Sequence, residues 1–185
     1  MIKIAVFASG TGTNFRNIVE DKSINAKFSL FVCDRPKAKC IEIAKENDID
    51  SFIFKAKDYK SKEEYEKIIM TKLDEKEIDL IVLAGYMRIL SKEFVEKYNN
   101  KIINIHPSLL PLYKGATAVK DAFEDGKNIF GVTVHYVNED VDGGEIIIQE
   151  QLENTKGLSL EEIFVKVHEL EYKLYPMAIK SIIKE

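Results

Sequence analysis

The sequence has no long apolar run, no basic run and only two cysteines among its 185 residues. No apolar stretch approaches the roughly 18 residues that a membrane-spanning helix needs, and the apolar start Ile2–Ala8 is too short for a signal peptide. Lysine and arginine number 27 against 31 aspartates and glutamates, which gives a net charge of −4. The electrostatic footprint of a nucleic-acid-binding protein is therefore missing. We expect neither a membrane nor a nucleic acid as a partner.

The two cysteines, Cys33 and Cys40, predict reduced thiols and a cytoplasmic protein, because no secretory pattern precedes them. The sequence also lacks internal repeats, low-complexity segments and a linker rich in proline or glycine. Its length is close to the roughly 150 residues of an average domain, and 45% of it is apolar. These features predict one domain over residues 1–185.

Short apolar runs alternate with amphipathic helical patterns. The runs at Ile2–Ala8, Phe28–Cys33, Leu80–Ala84 and Ile102–Ile105 are typical of strands buried on both faces of a parallel sheet. A capping box at Ser61–Glu64 opens the clearest helix between them. The alternation predicts an α/β fold with a doubly wound, mostly parallel, Rossmann-like sheet.

The pattern changes in the last third of the chain. Gly131–Val137 alternates in hydropathy and predicts a half-buried strand, and Glu145–Gln149 predicts a second strand antiparallel to it. The polar segment Asn138–Gly144 between them should be a surface loop. A second capping box, Ser159–Glu162, opens a closing helix.

A glycine-rich segment, Gly10-Thr11-Gly12-Thr13-Asn14, joins the first strand to a helical pattern that starts near Phe15. Backbone N–H groups converge at such a helix start and form an anion site. A dinucleotide site requires a third glycine at the position of Phe15. Asp34 does supply the acid that such a site has about twenty residues after its glycine segment. A glycine turn with Asn14 as helix N-cap and no ligand is the third possibility.

A second group of polar residues lies at the end of a buried strand. Asn104 and His106 point to the same side of it, Pro107 ends it, and ligands of α/β sheets bind at such strand ends. The alternative is a structural role, with His106 as a hydrogen-bonded core histidine beside a structural amide. Asp142, on a glycine-flanked loop, could orient the imidazole. An amide donor, an imidazole and a carboxylate are what acyl transfer requires.

Neither a covalent nucleophile nor a metal site is indicated. Ser108 follows a proline and lacks the Gly-x-Ser-x-Gly elbow. The three histidines are about thirty residues apart, and none has a ligand partner at the short spacing of a metal motif.

Five segments together resemble the phosphoribosylglycinamide formyltransferases, a folate-dependent formyltransferase family of purine synthesis, and the resemblance extends from Met1 to about Ile183. The segments are Gly10–Asn14, Ala84–Leu90, Asn104–Pro111, Tyr113–Gly115 and Gly131–Val137. The resemblance implies a single formyltransferase domain that transfers a formyl group from 10-formyltetrahydrofolate to the amine of glycinamide ribonucleotide through a tetrahedral oxyanion. It implies no metal, and a monomer or homodimer.

The resemblance also assigns site residues. The implied catalytic residues are Asn104, His106 and Asp142. Residues implied to bind the ribonucleotide are Gly10, Thr11, Gly12, Thr13, Asn14, Gly85, Pro107 and Glu171. Residues implied to bind the folate are Lys62, Met87, Arg88, Ile89, Leu90, Val137, Asp140 and Val141.

The chain departs from the family pattern at four positions. Thr117 and Val119 stand where the family commonly has histidine, Glu145 where proline is expected, and Lys62 where some members have arginine. No role is carried over to Thr117 or Val119, and the contact to the glutamate tail of the folate stays open.

Relatives with the same core supply rival functions. Formyltetrahydrofolate hydrolases add an N-terminal regulatory domain, and methionyl-tRNA formyltransferases add a basic C-terminal domain; we expect neither in this chain. Sugar N-formyltransferases share the strand-end motif but would bind a nucleotide sugar, and the match at Gly10–Asn14 argues against them. A flavodoxin-like binding module without catalysis is the alternative outside enzymes.

Overall fold

The computed structural model describes residues 1–184, which form seven strands, six α-helices and a 3-10 turn at Ala56–Asp58. The strands are β1 Ile2–Phe7, β2 Ala26–Cys33, β3 Ser51–Ile53, β4 Leu80–Leu83, β5 Ile102–His106, β6 Gly131–Tyr136 and β7 Ile146–Gln151. The helices are α1 Thr13–Glu20, α2 Cys40–Glu46, α3 Lys62–Glu75, α4 Lys92–Lys97, α5 Ala118–Glu124 and α6 Leu160–Ile182. The predicted order of elements is confirmed, with the short edge strand β3 and the short helix α5 as elements that the pattern did not indicate.

The strands form one sheet in the order β3-β2-β1-β4-β5-β6-β7. The first five pair in parallel, and β6 and β7 are antiparallel to their neighbours. The strand order reverses between β1 and β4, so connections leave these two strands in opposite directions. Such a switch point opens a crevice beyond the carboxyl ends of the strands, where α/β proteins bind ligands.

Helices cover both faces of the sheet, which confirms the doubly wound architecture. Along β1, Ile4 and Val6 belong to the core under α1, α2, α5 and α6, whereas Ala5 and Phe7 belong to the core under α3 and α4. Both faces of the central strands are therefore apolar, and this is why their sequences read as unbroken apolar runs.

Strand β6 is buried on both faces, so the prediction of a half-buried strand is wrong. Thr133 and His135, on the side expected to be exposed, are 0% and 2% exposed. Thr133 Oγ1 donates to the Ser108 carbonyl at 2.7 Å and accepts from the Leu110 N–H at 3.1 Å. Polar side chains are tolerated in this layer because each has a partner.

Helix α6 closes the fold and brings the end of the chain back to its beginning. The Ser159 capping box is present, and α6 buries a face that includes Ile163, Val167, Leu170 and Leu174 against β6, β7 and α1. The hydroxyl of the fully buried Tyr175 donates to the Leu83 carbonyl at 2.8 Å. In residues 1–184, no helix is long and apolar enough to cross a membrane.

Candidate active site

The segment between β1 and α1 makes a tight turn at Gly12, which is the N-cap of α1 with φ +78°. A Cβ at Gly12 would lie 2.6 Å from Cys40 Cβ and 2.7 Å from Ile43 Cδ1. This glycine is thus required by packing against α2 as well as by its backbone angle. Gly10, Thr11 and Thr13 are exposed around the start of α1, where free N–H groups favour an anion.

Asn14 does not cap α1, so the N-cap alternative for this residue is wrong. Its Nδ2 donates instead to Glu171 Oε2 on α6 at 3.0 Å. Asn14 Oδ1 is buried and has no partner among the described residues. Two residues expected at the ribonucleotide site, 157 positions apart, therefore meet beside the glycine segment.

Asp34 is occupied by its own chain. Its two carboxylate oxygens accept from Ser9 Oγ at 2.5 Å and from Arg88 Nε at 2.9 Å, and the residue is 5% exposed. Phe15, in the place of the third glycine, is buried and stacks on Phe31 with ring centroids 4.8 Å apart. Neither the acid nor the packing that a dinucleotide site needs is available.

The carboxyl end of β5 brings together the three predicted catalytic residues. His106 is 5% exposed and its Nδ1 lies 3.4 Å from Asp142 Oδ2. Asn104 is half-buried, one pleat earlier on the same side of the strand. An amide, an imidazole and a carboxylate from two distant segments converge at the predicted place. Their catalytic roles stay predictions.

The protonation of His106 follows in part from its contacts. Nε2 lies 2.8 Å from the Tyr113 carbonyl, which can only accept, so Nε2 carries a hydrogen. A second proton on Nδ1 would face the Asp142 carboxylate. The Asp142 carboxylate would therefore stabilise a positively charged His106 ring during a reaction.

His135 is a site residue that the sequence reasoning missed. It lies directly opposite Asn104 in the β5–β6 pair. Its Nδ1 is 2.7 Å from the Tyr136 carbonyl, and its Nε2 is 3.3 Å from Asn104 Nδ2 and 3.7 Å from Asp142 Oδ1. In the neutral ring, Nδ1 therefore holds the hydrogen and Nε2 accepts from Asn104, whereas in the imidazolium Nε2 carries a hydrogen that faces Asp142. The signal in the sequence was a histidine within the alternating pattern of Gly131–Val137.

Asp142 is held as a carboxylate. The His135 ring, the Gly115 N–H at 2.9 Å and the charge of His106 lower the pKa of Asp142 to about 2, against the opposing effect of burial. The backbone at Asp142 has φ +49°, a conformation that Asp and Asn adopt more readily than other side chains. The turn that aims this carboxylate into the site thus depends on the residue type.

The two segments expected to bind the folate are Met87–Leu90 and Val137–Val141. Lys92, which follows the first segment, forms a 3.1 Å ion pair with Glu139 of the second. Both segments present apolar side chains to solvent, with Met87, Ile89 and Val141 being 62%, 70% and 51% exposed. Exposed apolar groups gathered at a strand end are typical of a ligand site. The remaining members differ in exposure: Arg88 and Asp140 are exposed, Val137 is half-buried and Leu90 is buried.

Three further predicted site residues lie after β4, after β5 and at the start of α3. The exposed Gly85, with φ +78°, accepts through its carbonyl from the Ser9 N–H at 3.1 Å and so joins the ends of β1 and β4. Pro107 is half-buried directly after β5. Lys62 starts α3, with Nζ 3.9 Å from Glu66 Oε1. Glu66 in turn accepts from the Ser91 N–H, just after Leu90, at 3.1 Å.

The other three departures from the family pattern lie apart from these contacts. Val119 is a core residue of α5, and Thr117 Oγ1 donates to Asp121 Oδ2 at 2.8 Å. Glu145 is exposed, and its carbonyl accepts from the Tyr136 N–H at 2.8 Å. Within residues 1–184, no group of three or more His, Cys, Asp or Glu side chains is arranged to hold a metal ion.

A family model described as formyl transferase matches residues 2–179. The doubly wound fold and the strand-end cluster of amide, imidazole and carboxylate agree with this match. The chain belongs to the formyl transferase family.

The similar proteins are more specific. The chain is 46% identical to the phosphoribosylglycinamide formyltransferase of Bacillus subtilis (strain 168), over 99% of this chain and 95% of that protein. It is 40% identical to the phosphoribosylglycinamide formyltransferase of Haemophilus influenzae, over 97% and 86%. The crystal structure of glycinamide ribonucleotide transformylase 1 from Geobacillus kaustophilus matches with a TM-score of 0.94 at 42% identity, covering 98% of each chain. The resemblance to the phosphoribosylglycinamide formyltransferases is confirmed.

Proposed function

We infer that this chain catalyses formyl transfer from a formyl folate to the amine of glycinamide ribonucleotide, a step of purine biosynthesis. Family membership at 46% identity over nearly the whole chain supports the activity. The observation that carries its chemistry is the convergence of Asn104, His106 and Asp142 at the end of β5. We further propose 10-formyltetrahydrofolate as the formyl donor, a cytoplasmic location, and a single domain over residues 1–185, of which Glu185 lies outside the described residues.

The reaction requires a charge to develop on the formyl oxygen. The amine nitrogen attacks the formyl carbon, and the carbonyl electron pair moves to its oxygen to give a tetrahedral oxyanion. Asn104 Nδ2 has one hydrogen directed to His135 Nε2, so its second hydrogen is available to the oxyanion. A donor fixed before the charge forms stabilises it without reorganisation.

His106 and Asp142 supply the second part of the stabilisation. An imidazolium at His106 lies against the Asp142 carboxylate, and its charge lowers the energy of the oxyanion. As the intermediate collapses, the bond from the formyl carbon to the folate nitrogen breaks. The proton lost by the amine reaches that nitrogen with the help of Asp142, through water.

The two substrates approach from opposite sides of this cluster. The ribonucleotide phosphate fits the start of α1, where Gly10, Thr11 and Thr13 are exposed. Glu171, which contacts Asn14, is the acceptor for the sugar hydroxyls of the ribonucleotide. The folate ring fits beside the exposed apolar side chains of Met87, Ile89 and Val141. The formyl carbon and the amine then meet at the end of β5.

The test is a spectroscopic assay of folate deformylation with and without glycinamide ribonucleotide. Consumption of 10-formyltetrahydrofolate should depend on the ribonucleotide and produce the formylated amine. Asn104→Ala should abolish most of this consumption, whereas Asn99→Ala, on the exposed turn after α4, should leave it unchanged. Equal consumption without ribonucleotide would establish a hydrolase, and calorimetric binding of NAD without competition by ribonucleotide would restore the dinucleotide alternative.

A further inference from the structure

Glu171 is an acid that the fold buries almost completely, at 5% exposure. Two donors contact it, and both contact the same oxygen. Asn14 Nδ2 on α1 lies 3.0 Å from Oε2, and His168 Nδ1, one turn earlier on α6, lies 2.9 Å from Oε2. Oε1 is free of both donors, so the two contacts fix the direction in which the other carboxylate oxygen points.

The His168 ring differs from its partner in being accessible, with 52% of its side chain exposed. It stacks on the Tyr172 ring at a centroid distance of 6.3 Å. Glu171 is the one acid among residues 1–184 that forms an ion pair with His168. Asn14, which contacts Glu171 from α1, is uncharged. The Glu171 carboxylate raises the pKa of His168, against the effect of partial burial.

The protonation state of His168 decides how firmly Oε2 is held. An imidazolium always has a hydrogen on Nδ1, so the bond to Oε2 is present in every molecule and is assisted by charge. A neutral ring places its single hydrogen on either nitrogen, so the Nδ1 donor is present in only part of the population. As pH rises through the ionisation of His168, Glu171 loses part of its restraint.

We propose that His168 is a positioning residue that holds Glu171 for the donors of the ribonucleotide, and that its ionisation makes ribonucleotide binding weaken as pH rises. This inference rests on the proposed function, because it assigns a substrate to Glu171. His168 acts through Glu171, so it should change the KM for ribonucleotide and not the chemical step.

The experiment measures kcat and KM for both substrates between pH 6 and 9 in the full chain and three variants. His168→Ala should raise the ribonucleotide KM about threefold to tenfold at low pH, the scale of one charge-assisted hydrogen bond, with kcat and folate KM unchanged. His168→Asn places an uncharged amide donor near the position of Nδ1. The ribonucleotide KM of His168→Asn should lie between those of the wild type and His168→Ala. It should lack the pH dependence that His168 adds to the wild type.

The matched control is Lys173→Ala, which removes a positive charge on α6 that pairs with Glu150 at 2.7 Å. It should follow the wild-type KM profile. Ionisation of the substrate phosphate near pH 6 affects every variant equally and cancels in the comparison. Thermal unfolding should confirm that all variants are folded, since Ala and Asn occupy a half-exposed helix position.

A second measurement is independent of activity. In an NMR titration, the ring resonances of His168 report the pH at which it ionises. This midpoint should be lower in Glu171→Gln than in the wild type. An unchanged midpoint would overturn the proposed contact. An unchanged ribonucleotide KM in His168→Ala, or an equal rise in Lys173→Ala, would overturn the positioning role while the formyltransferase activity stood. If the wild-type chain showed no ribonucleotide-dependent transfer, the proposed function would fail together with this inference.

Discussion

Replacing Asp142 by asparagine removes the charge of the site acid and little else. Asparagine has the same size, tolerates the φ of +49° at this position, and can still accept from the Gly115 N–H. The substitution therefore isolates the interaction of the carboxylate charge with His135 and His106. We expect the free energy of unfolding to fall in a way that depends on pH.

The magnitude follows from the pKa of Asp142, which His135 and the Gly115 N–H lower from 3.8 to about 2. Each pH unit of such a difference corresponds to about 1.4 kcal/mol, so the carboxylate contributes about 2 kcal/mol to stability near pH 5. The side chain is only 11% exposed, so solvent screens this interaction little. Because the folded pKa lies below the ordinary one, the contribution is present above about pH 4 and is lost as pH falls towards 2.

Urea denaturation of wild type and Asp142→Asn across this pH range measures the prediction. The wild type should be more stable by about 2 kcal/mol at pH 5, and the difference should shrink below pH 4. Asp140→Asn, on the exposed part of the same loop, is the matched control and should show no comparable difference. A stability difference that stayed constant down to pH 2.5 would refute the assignment to the ionised carboxylate.

Three further predictions concern the site and its glycine turn. Asn104→Ala should lower kcat by about 10² or more, the scale of one lost oxyanion donor, with an unchanged unfolding temperature. The control variant Asn99→Ala should keep the wild-type kcat. Near-full turnover in Asn104→Ala would mean that the strand-end amide is structural. His135→Phe should lower kcat about tenfold, the effect of a loosened donor, in steady-state assays at saturating substrates. Gly12→Ala should destabilise the protein by about 1–3 kcal/mol, because its Cβ overlaps α2, and Gly10→Ala, with open space around its Cβ, should not. Equal unfolding temperatures for the two glycine variants would contradict that packing argument.

The parts of the fold that the sequence predicted correctly depend on local patterns. The apolar runs of β1, β2, β4 and β5 are unbroken because helices cover both faces of the sheet. The capping box of α6 is satisfied within four neighbouring residues. Strand β3 escaped notice because it is three residues long at the sheet edge, where only Phe52 packs against the core. A pattern of period two cannot be recognised over so short a stretch.

The burial of β6 shows where local pattern fails. Alternation of apolar and polar residues predicted one exposed face, yet Thr133 and His135 are buried because partners from other segments satisfy their polar atoms. Hydropathy records the polarity of a side chain and not the presence of a partner. The sequence therefore could not distinguish a buried polar layer from a solvated one.

The sequence by itself determined the order of the elements, the strand-end position of Asn104 and His106, and the family, because these depend on residues close together in the chain. Only the tertiary structure decided which residues meet. Pairing of β5 with β6 places His135 opposite Asn104, and the loop after β6 brings Asp142 to His106. Packing of α6 against α1 brings Glu171 and its partner His168 to Asn14. These contacts depend on sheet register and helix packing, which are set by the whole core and not by any one segment.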